Sequence, residues 1–453
     1  MLKVNEIIKA TSGNLLQGRL TDKLGGISTD SRTSKPQEAF LALQGKNFDG
    51  HDFITEALKA KVVCLIVEKE PLCLIPKEIA MIRVKDTTLA LGDIAGFQRQ
   101  KFNLPVIAVT GSNGKTTTKE MIAHVLSGNA QVLKNAGTRN NAIGLPQTLI
   151  QLTEKDNFAV VEIGTNHFGE IDYLARIAQP NIGLITNIAS SHLEFLKDLN
   201  GVLEEKSTLL NNLQKPAIAV LCADDKLLKR IIVQKNKGKY VFSYGIDERS
   251  DFCASAIRLK DARVEFKVNR KFDFELSTLG YYNIYNALGA IAVGRLLGLG
   301  YPEIAARLSS FKFPRGRLTL TECRGLKFID DTYNSNPLSF KAALRALGAV
   351  KCKGKKILIM GDMLELGKQK ELLHRQIAWS ITNTCDVLVA VGSLARLSAE
   401  VVGESGFDKK NIFCCDNSQE ARDLLFKKIL PSRSDLILVK GSRSMKMEEV
   451  LEV

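Results

Sequence analysis

Aromatic residues are scarce in this chain: they make up 6% of it, with a single tryptophan, and histidine occurs only five times. No Arg/Lys block interleaved with aromatics occurs. The 63 Lys and Arg against 49 Asp and Glu, a net +14, are spread along the chain instead of forming a nucleic-acid footprint. That balance permits an anionic substrate, a nucleic acid or a membrane surface; the lack of a patch weighs against nucleic acid. Long apolar runs are also missing. The longest, such as Val62–Val67, fall far short of the ~20 residues that cross a bilayer, and no membrane insertion is expected. The opening MLKVNEIIKATSG has no long apolar stretch before a small-residue cleavage site, which predicts no signal peptide and a cytoplasmic location. The nine cysteines are scattered without a C-x-x-C pair, and the adjacent Cys414 and Cys415 suit neither an ordinary disulfide nor a zinc knuckle, so reduced thiols are expected. Repeats and low-complexity segments are absent as well. No long exposed apolar stripe argues for an obligate partner, and a monomer is expected.

What is present is an ordinary globular composition, 45% apolar and 25% charged over 453 residues, enough for three domains at roughly 150 residues each. Short apolar runs alternate with helical patterns. Residues 38–45, 62–68 and 79–84 read as strands and 51–60 as a helix, giving a small α/β block to about residue 85. Then PVIAVTG (105–111), FAVVEIG (158–164), IGLITNI (182–188) and AIAVL (217–221) read as buried strands separated by helices. This order predicts a mostly parallel sheet covered on both faces. From Val264 to Leu276 the period becomes two, predicting an antiparallel hairpin that turns near Asn269–Arg270. FKFPRGRL (311–318) reads as a hinge. Beyond it, KFIDD, KKILIMGD, DVLVAVG, NIFCC and DLILVKGS alternate with helices in a second parallel unit. The expected class is α/β with three domains, at 1–85, 86–313 and 314–453: a small N-terminal α/β unit, a central parallel-sheet P-loop ATPase unit and a C-terminal Rossmann-like unit.

The sharpest motif is TGSNGKTTTKE (110–120), at the end of a buried strand and the start of a helix. Backbone N–H groups of such a loop wrap phosphate oxygens, and the helix N-terminus adds positive potential. Lys115 is placed for the terminal phosphates and the Thr116 hydroxyl for Mg²⁺. Val109 stands where the common G-x-x-x-x-G-K-[ST] form has its first glycine; the alternative is a plain Gly-rich turn. A phosphate loop of this kind works with a metal. Glu162 and His192 each follow a parallel strand on the edge that faces a ligand crevice, which makes them candidate metal contacts; a solvated or packing role is the alternative for each. Asn140 and Asn141 beside Arg139 suit a polyanionic, hydroxyl-rich substrate, or equally a helix cap. FIDDTYNSNP (328–337) packs two carboxylates and two amides into one strand-to-helix turn, or forms an Asx-rich turn. KGSRSMKME (440–448) carries Lys440, Arg443 and Lys446 at a strand end, an arrangement that favours a docked anion.

Taken together, TGSNGKTTTKE, VVEIG, NIASSHLE, YYNIYNALGA (281–290), IDDTYNSNPLSFKAAL (329–344), LIMGDMLELG (358–367) and KGSRSMKMEEV (440–450) resemble the Mur ligases, with motifs across nearly the whole chain. STDSRTSKPQEAFLALQGKNFDGHDF (28–53) is similar to that family's UDP-binding region. The resemblance, nearest to the dipeptide-adding branch, implies ATP and Mg²⁺ as cofactors and UDP-N-acetylmuramoyl-tripeptide and D-alanyl-D-alanine as substrates. It implies that ATP phosphorylates the tripeptide carboxylate and that the dipeptide amine attacks the acyl phosphate. It further implies that Gly111, Ser112, Asn113, Gly114, Lys115, Thr116 and Thr117 cradle the ATP phosphates, and that Glu162 and His192 hold the metal with Thr116. Lys206 matches a lysine that relatives carry as a carbamate serving the same metal; by its own pattern it reads as an exposed helical lysine. Asn283 and Asn286 match adenine-contacting amides, and Arg317 and Asp331 match groups near the nucleotide. Asn334 and Asn336 match a turn near the dipeptide or nucleotide. Ser31, Lys46, Asn47 and Phe48 match positions near uridine, and Thr138, Arg139, Asn140 and Asn141 match the muramoyl-peptide path. Ser335 departs from the Y-N-A-N-P form common in the family.

Other classes fit less well. A sister ligase adding a different amino acid shares the chemistry. A nucleotide-dependent switch or transport ATPase would carry N-K-x-D or a strand ending in Asp, yet the strand at 182–188 ends in Thr186–Asn187. A nucleic-acid-binding protein is favoured only by net charge, and its binding would fall steeply with salt.

Overall fold

The computed structural model describes residues 2–45, 47–234, 240–260 and 263–452. Three large sheets follow one another along the chain. The first has five strands in the order Asn14–Gln17, Ala80–Arg83, Cys64–Val67, Ala39–Leu41, Ile27–Ser28, all parallel except Asn14–Gln17. Its short strands are apolar on both faces. Ala39, Leu41, Cys64 and Ile66 pack against Val4, Ile7, Leu91 and Ile94, while Phe40, Leu65 and Val67 pack against Ile54 and Ala57. A period of two with both sets buried is what a covered parallel sheet requires.

The second sheet has nine strands. Seven run parallel in the order Phe252–Lys260, Tyr240–Gly245, Ile218–Cys222, Ile182–Ile185, Val106–Thr110, Phe158–Glu162, Val132–Lys134. Arg263–Val268 and Phe272–Leu276 extend one edge antiparallel. The helices Lys115–Leu126 and Asn283–Leu296 lie together on one face. The second is built from Ala, Gly and branched aliphatics and is buried nearly all round, and a Cβ at Gly289 would lie only 3.0 Å from Leu184 Cδ1. Such close approach explains a helix without a polar stripe. The third sheet has six strands in the order Thr319–Cys323, Leu326–Asp331, Leu436–Lys440, Lys356–Gly361, Val387–Val391, Ile412–Cys415, with only Thr319–Cys323 antiparallel.

The expected three-domain α/β class therefore holds, and the hairpin turns at Asn269 and Arg270, both at positive φ (51° and 61°). That backbone is the one whose twist suits a two-residue hairpin. Tyr240–Gly245 and Phe252–Lys260 had not been expected as strands. A register shift between Ser255 and Arg258, with Ala256 at φ 51°, breaks the alternation of the second. All nine cysteines are free. Among the described residues no helix is long and apolar enough to cross a membrane.

Leu184 is fully buried between the central strands and the Asn283–Leu296 helix. Leu184→Ala should lower stability by about 2–5 kcal/mol, seen as an earlier denaturant midpoint; an unchanged midpoint would contradict this packing.

Candidate active site

The strand Val106–Thr110 lies between Ile182–Ile185 on one side and Phe158–Glu162 on the other. From it the chain runs to the strands on the Phe158–Glu162 side and then crosses over to Ile182–Ile185 on the other, so the loops at the carboxyl ends of these strands open onto a crevice. Residues 111–114 fill the start of that crevice and lead into the helix Lys115–Leu126. Gly111 (φ +141°) passes so close to its neighbour that a Cβ there would meet Thr186 Oγ1 at 1.9 Å; at Gly114 (φ +81°) it would meet Asn286 Oδ1 at 2.3 Å. Ser112 N–H donates to Asn187 O (2.9 Å) and Asn113 N–H to Asn187 Oδ1 (3.0 Å), which fixes the loop to the next strand end. Lys115 Nζ donates to Gly111 O (2.8 Å) and Ser112 O (3.3 Å). Burial pushes its ammonium down, Glu162 nearby opposes that, and Arg317 adds to it.

Glu162 ends its strand almost wholly buried, at 1% exposure. Its Oε1 accepts from Asn140 Nδ2 (2.7 Å), and its Oε2 is buried with no partner. Asn135 brackets its backbone, accepting from Glu162 N–H (2.9 Å) and donating to Glu162 O (3.0 Å) and Arg139 O (2.9 Å). Beneath lies Lys119, fully buried, donating to Asn135 O (2.6 Å) and Gly137 O (3.0 Å) and pairing with Glu120 (2.8 Å). Asn141 does something else: its Oδ1 accepts from Ile143 and Gly144 N–H at the start of the helix Gly144–Leu149. Of the two readings of this asparagine pair, Asn141 therefore takes the cap and Asn140 turns to the carboxylate.

His192, at φ 53°, starts a short helix, and its Nδ1 lies 2.6 Å from Glu365 Oε2. The two groups form a close pair off the ideal hydrogen-bond line, and a small turn of the ring about its soft second torsion aligns them. Lys206 is 1% exposed, which corrects the expectation of an exposed helical lysine. Burial pushes its ammonium well below the usual lysine range, the Lys115 charge adds to this, and Glu205 opposes it.

The third sheet faces this loop. Arg317 Nη2 donates to Thr116 Oγ1 (3.2 Å) and its guanidinium stacks 3.6 Å over the Tyr333 ring. Asn336 Nδ2 donates to Asn113 Oδ1 (2.7 Å) while Asn336 Oδ1 caps the helix Pro337–Ala349 through Ser339 N–H. Asp331 Oδ2 accepts from Lys440 Nζ (2.6 Å), and Lys440 also donates to Asn334 O (2.9 Å). Burial pushes the Asp331 carboxyl up and the Lys440 ammonium down against their mutual attraction. On the far side a chain of amides runs from Thr278 through Asn283 and Asn286 to Thr118.

A cavity of about 890 Å³ joins these groups. Ser112 to Thr117, Thr138, Asn140, Glu162, His192, Asn283, Asn286, Arg317, Asp331, Asn334 and Asn336 line it. Gly111, Arg139, Asn141 and Lys206 are not among the residues that line it. Ser31, Asn47 and Phe48 are not in it, and Phe48 is 72% exposed; Lys46 lies outside the described residues. Asn135, Lys119, Glu365, Tyr282, Asp224 and Tyr285 had not been singled out. Tyr285 O–H donates to Asp224 Oδ2 (2.8 Å) beside the amide chain, and its position two residues after Asn283 was the available signal.

Among the described residues no three His, Cys, Asp or Glu groups gather closely enough to hold a metal by themselves. The donor set still fits Mg²⁺, which commonly takes one or two protein oxygens and completes its shell with phosphates and water. The orphaned Glu162 Oε2, with Thr116 Oγ1 in the first turn of the helix after the loop, is such a set.

Comparison with known proteins gives three family matches: the Mur ligase middle domain at residues 109–294, the Mur ligase glutamate ligase domain at 316–443, and the Mur ligase family catalytic domain at 23–99. The chain is 34% identical over 456 residues to the UDP-N-acetylmuramoyl-tripeptide–D-alanyl-D-alanine ligase of Bacillus subtilis, covering 99% of this chain and 96% of that one. A crystal structure of MurF from Acinetobacter baumannii superposes with a TM-score of 0.89 at 32% identity, covering 99% and 97%. That of MurF ligase from Thermotoga maritima in complex with ADP superposes at 0.82 with 28% identity, covering 94% and 96%.

The two asparagines provide a test. Asn141→Ala should cost about 1 kcal/mol of stability through the lost cap and leave nucleotide affinity unchanged. Asn140→Ala should weaken Mg²⁺-dependent nucleotide binding with a smaller change in melting. Equal effects of both on binding would refute this division of roles.

Proposed function

The chain belongs to the Mur ligase family, and from that membership we propose how its site works. The protein is an ATP-dependent ligase of peptidoglycan precursor synthesis, joining D-alanyl-D-alanine to UDP-N-acetylmuramoyl-tripeptide through an acyl phosphate. A carboxylate is a poor electrophile, and phosphorylation gives it a leaving group. The dipeptide amine then adds to the acyl carbon, a tetrahedral intermediate forms, and phosphate departs with the bonding pair. The protein's part is positioning and charge neutralisation. The observation that carries the reading is the Arg317–Thr116 hydrogen bond, which sets a cation of the third sheet on the phosphate loop of the second.

In this reading Lys115 and Arg317 neutralise the terminal phosphates from two sides. Asn283 and Asn286 each keep one amide N–H beyond those spent on their own chain, available to adenine. Glu162, His192 and Thr116 would hold Mg²⁺, and Lys206 as a carbamate would serve the same metal. When bound, Mg²⁺ polarises the phosphoryl oxygens and offsets their charge. Lys206 suits a carbamate: a neutral amine adds to CO₂ and loses one proton, and burial beside Lys115 favours the neutral amine. The product is an anion that Lys115 then attracts. Asp331 and its Lys440 partner shape the wall from which Asn334 and Asn336 meet the dipeptide or nucleotide. Residues 1–85 carry the UDP moiety through Ser31 and Lys46 to Phe48, residues 86–313 the ATP, and residues 314–453 the incoming dipeptide. Thr138 to Asn141 border the peptide path between the first two. The enzyme works as a cytoplasmic monomer.

With ATP, Mg²⁺, the UDP-tripeptide and D-alanyl-D-alanine all present, purified protein should release phosphate, and omitting either organic substrate should stop it. Release that ignores both would end the ligase reading. Lys115→Ala should abolish turnover with melting unchanged. Lys206→Ala should lose activity and recover part of it with added short-chain carboxylate. In ¹³C-bicarbonate the wild type should show a carbamate resonance that fades as pH falls and the amine protonates; a resonance that persists in Lys206→Ala would point elsewhere.

A further inference from the structure

We propose that Glu365 is a positioning residue for His192, delivered by the third-sheet unit so that the metal site is completed only when that unit is docked; this rests on the assignment of His192 to the metal. Glu365 lies in the DMLELG turn after the strand Lys356–Gly361, and its neighbours are tied down on both sides. Met363 N–H donates to the fully buried His374 Nε2 (2.9 Å), Leu364 N–H to Ser442 Oγ (2.8 Å), and Leu366 is buried in the core. From this turn the Glu365 side chain, half-exposed, reaches His192.

The contact is shaped by backbone as well as by charge. Glu365 (φ 61°) and His192 (φ 53°) both adopt the left-handed region that non-glycine residues seldom occupy. Two residues on, Gly367 (φ +55°) comes so near the facing loop that a Cβ would lie 3.2 Å from Glu194 N and Cα. Strained residues meeting face to face, with a glycine admitting the opposing backbone, mark a contact that the surroundings over-determine. His192 Nδ1 is buried and has no other described acceptor. A carboxylate on Nδ1 holds the proton there and leaves the Nε2 lone pair to face a metal, the arrangement that orients ligating histidines generally. Glu365 therefore acts on the metal through His192, without touching it. Because it belongs to another sheet, undocking removes it, which couples the grip on the metal nucleotide to domain closure.

The test uses full-length protein with a non-hydrolysable ATP analogue and Mn²⁺, titrated by electron paramagnetic resonance. Glu365→Gln should weaken apparent Mn²⁺ affinity by about tenfold or more with melting unchanged, and should cause no further loss in a His192→Ala background, since coupled residues fail to add. Unchanged Mn²⁺ affinity in Glu365→Gln, or the same loss with and without His192, would overturn the inference. Unchanged affinity in His192→Ala would remove the metal assignment of His192 and the inference with it, while wild-type phosphate release would leave the ligase reading standing.

Discussion

A carboxylate oxygen held out of water without a partner is costly, and here it stands beside a loop made to bind phosphate. Glu162 Oε2 is that atom. Its hydrogen-bonded neighbours hold it in place and leave this one oxygen open. Asn140 takes only the other oxygen, Asn135 brackets the backbone, and buried Lys119 fixes the loop that carries Asn135. Lys115 and Arg317 lie near enough to feel this carboxylate, yet no hydrogen bond reaches the oxygen itself, and a buried polar atom left so is one that a ligand-borne cation can satisfy. In the proposed reading a magnesium nucleotide would meet both the carboxylate and the phosphate loop, with Lys115 and Arg317 beside them.

The third sheet supplies the opposite sign. Arg317 reaches Thr116 and lies over Tyr333, and Lys440 is held at a strand end by Asp331 and the Asn334 carbonyl. Burial works against both cations, and their anionic neighbours work for them. Such groups gain most when further negative charge enters the cavity. The same docking brings Asn336 onto Asn113, so a helix cap of one unit and the phosphate loop of another share a hydrogen bond. The site is thus built from groups of both units, as suits an enzyme that keeps a reactive acyl phosphate from water.

Much of this was legible in the sequence because it lies in local pattern. The helix over Lys115–Leu126, the buried strands around it and the turn at Asn269–Arg270 follow from apolar period and turn chemistry. The phosphate loop, Glu162 and the Arg317 and Asp331 region were found by motif and strand-end position, and the structure gathers them around one cavity. What was missed depends on long-range contact. Lys206 has the neighbours of a surface lysine in sequence, and its burial comes from packing that no window of residues reveals. Asn140 and Asn141 are alike on paper, and only the fold sends one to a helix cap and the other to a carboxylate. Glu365 and Asn135 work across gaps of more than 20 residues. Phe252–Lys260 escaped because its bulge breaks the alternation by which strands are recognised.

The central claim is that the nucleotide's terminal phosphoryl lands on a substrate carboxylate in this cavity. The most direct measurement is oxygen transfer. With the tripeptide carboxylate labelled with ¹⁸O and all substrates present, one labelled oxygen should appear in each inorganic phosphate released. Phosphate free of label, formed at the same rate as the amide product, would contradict the account.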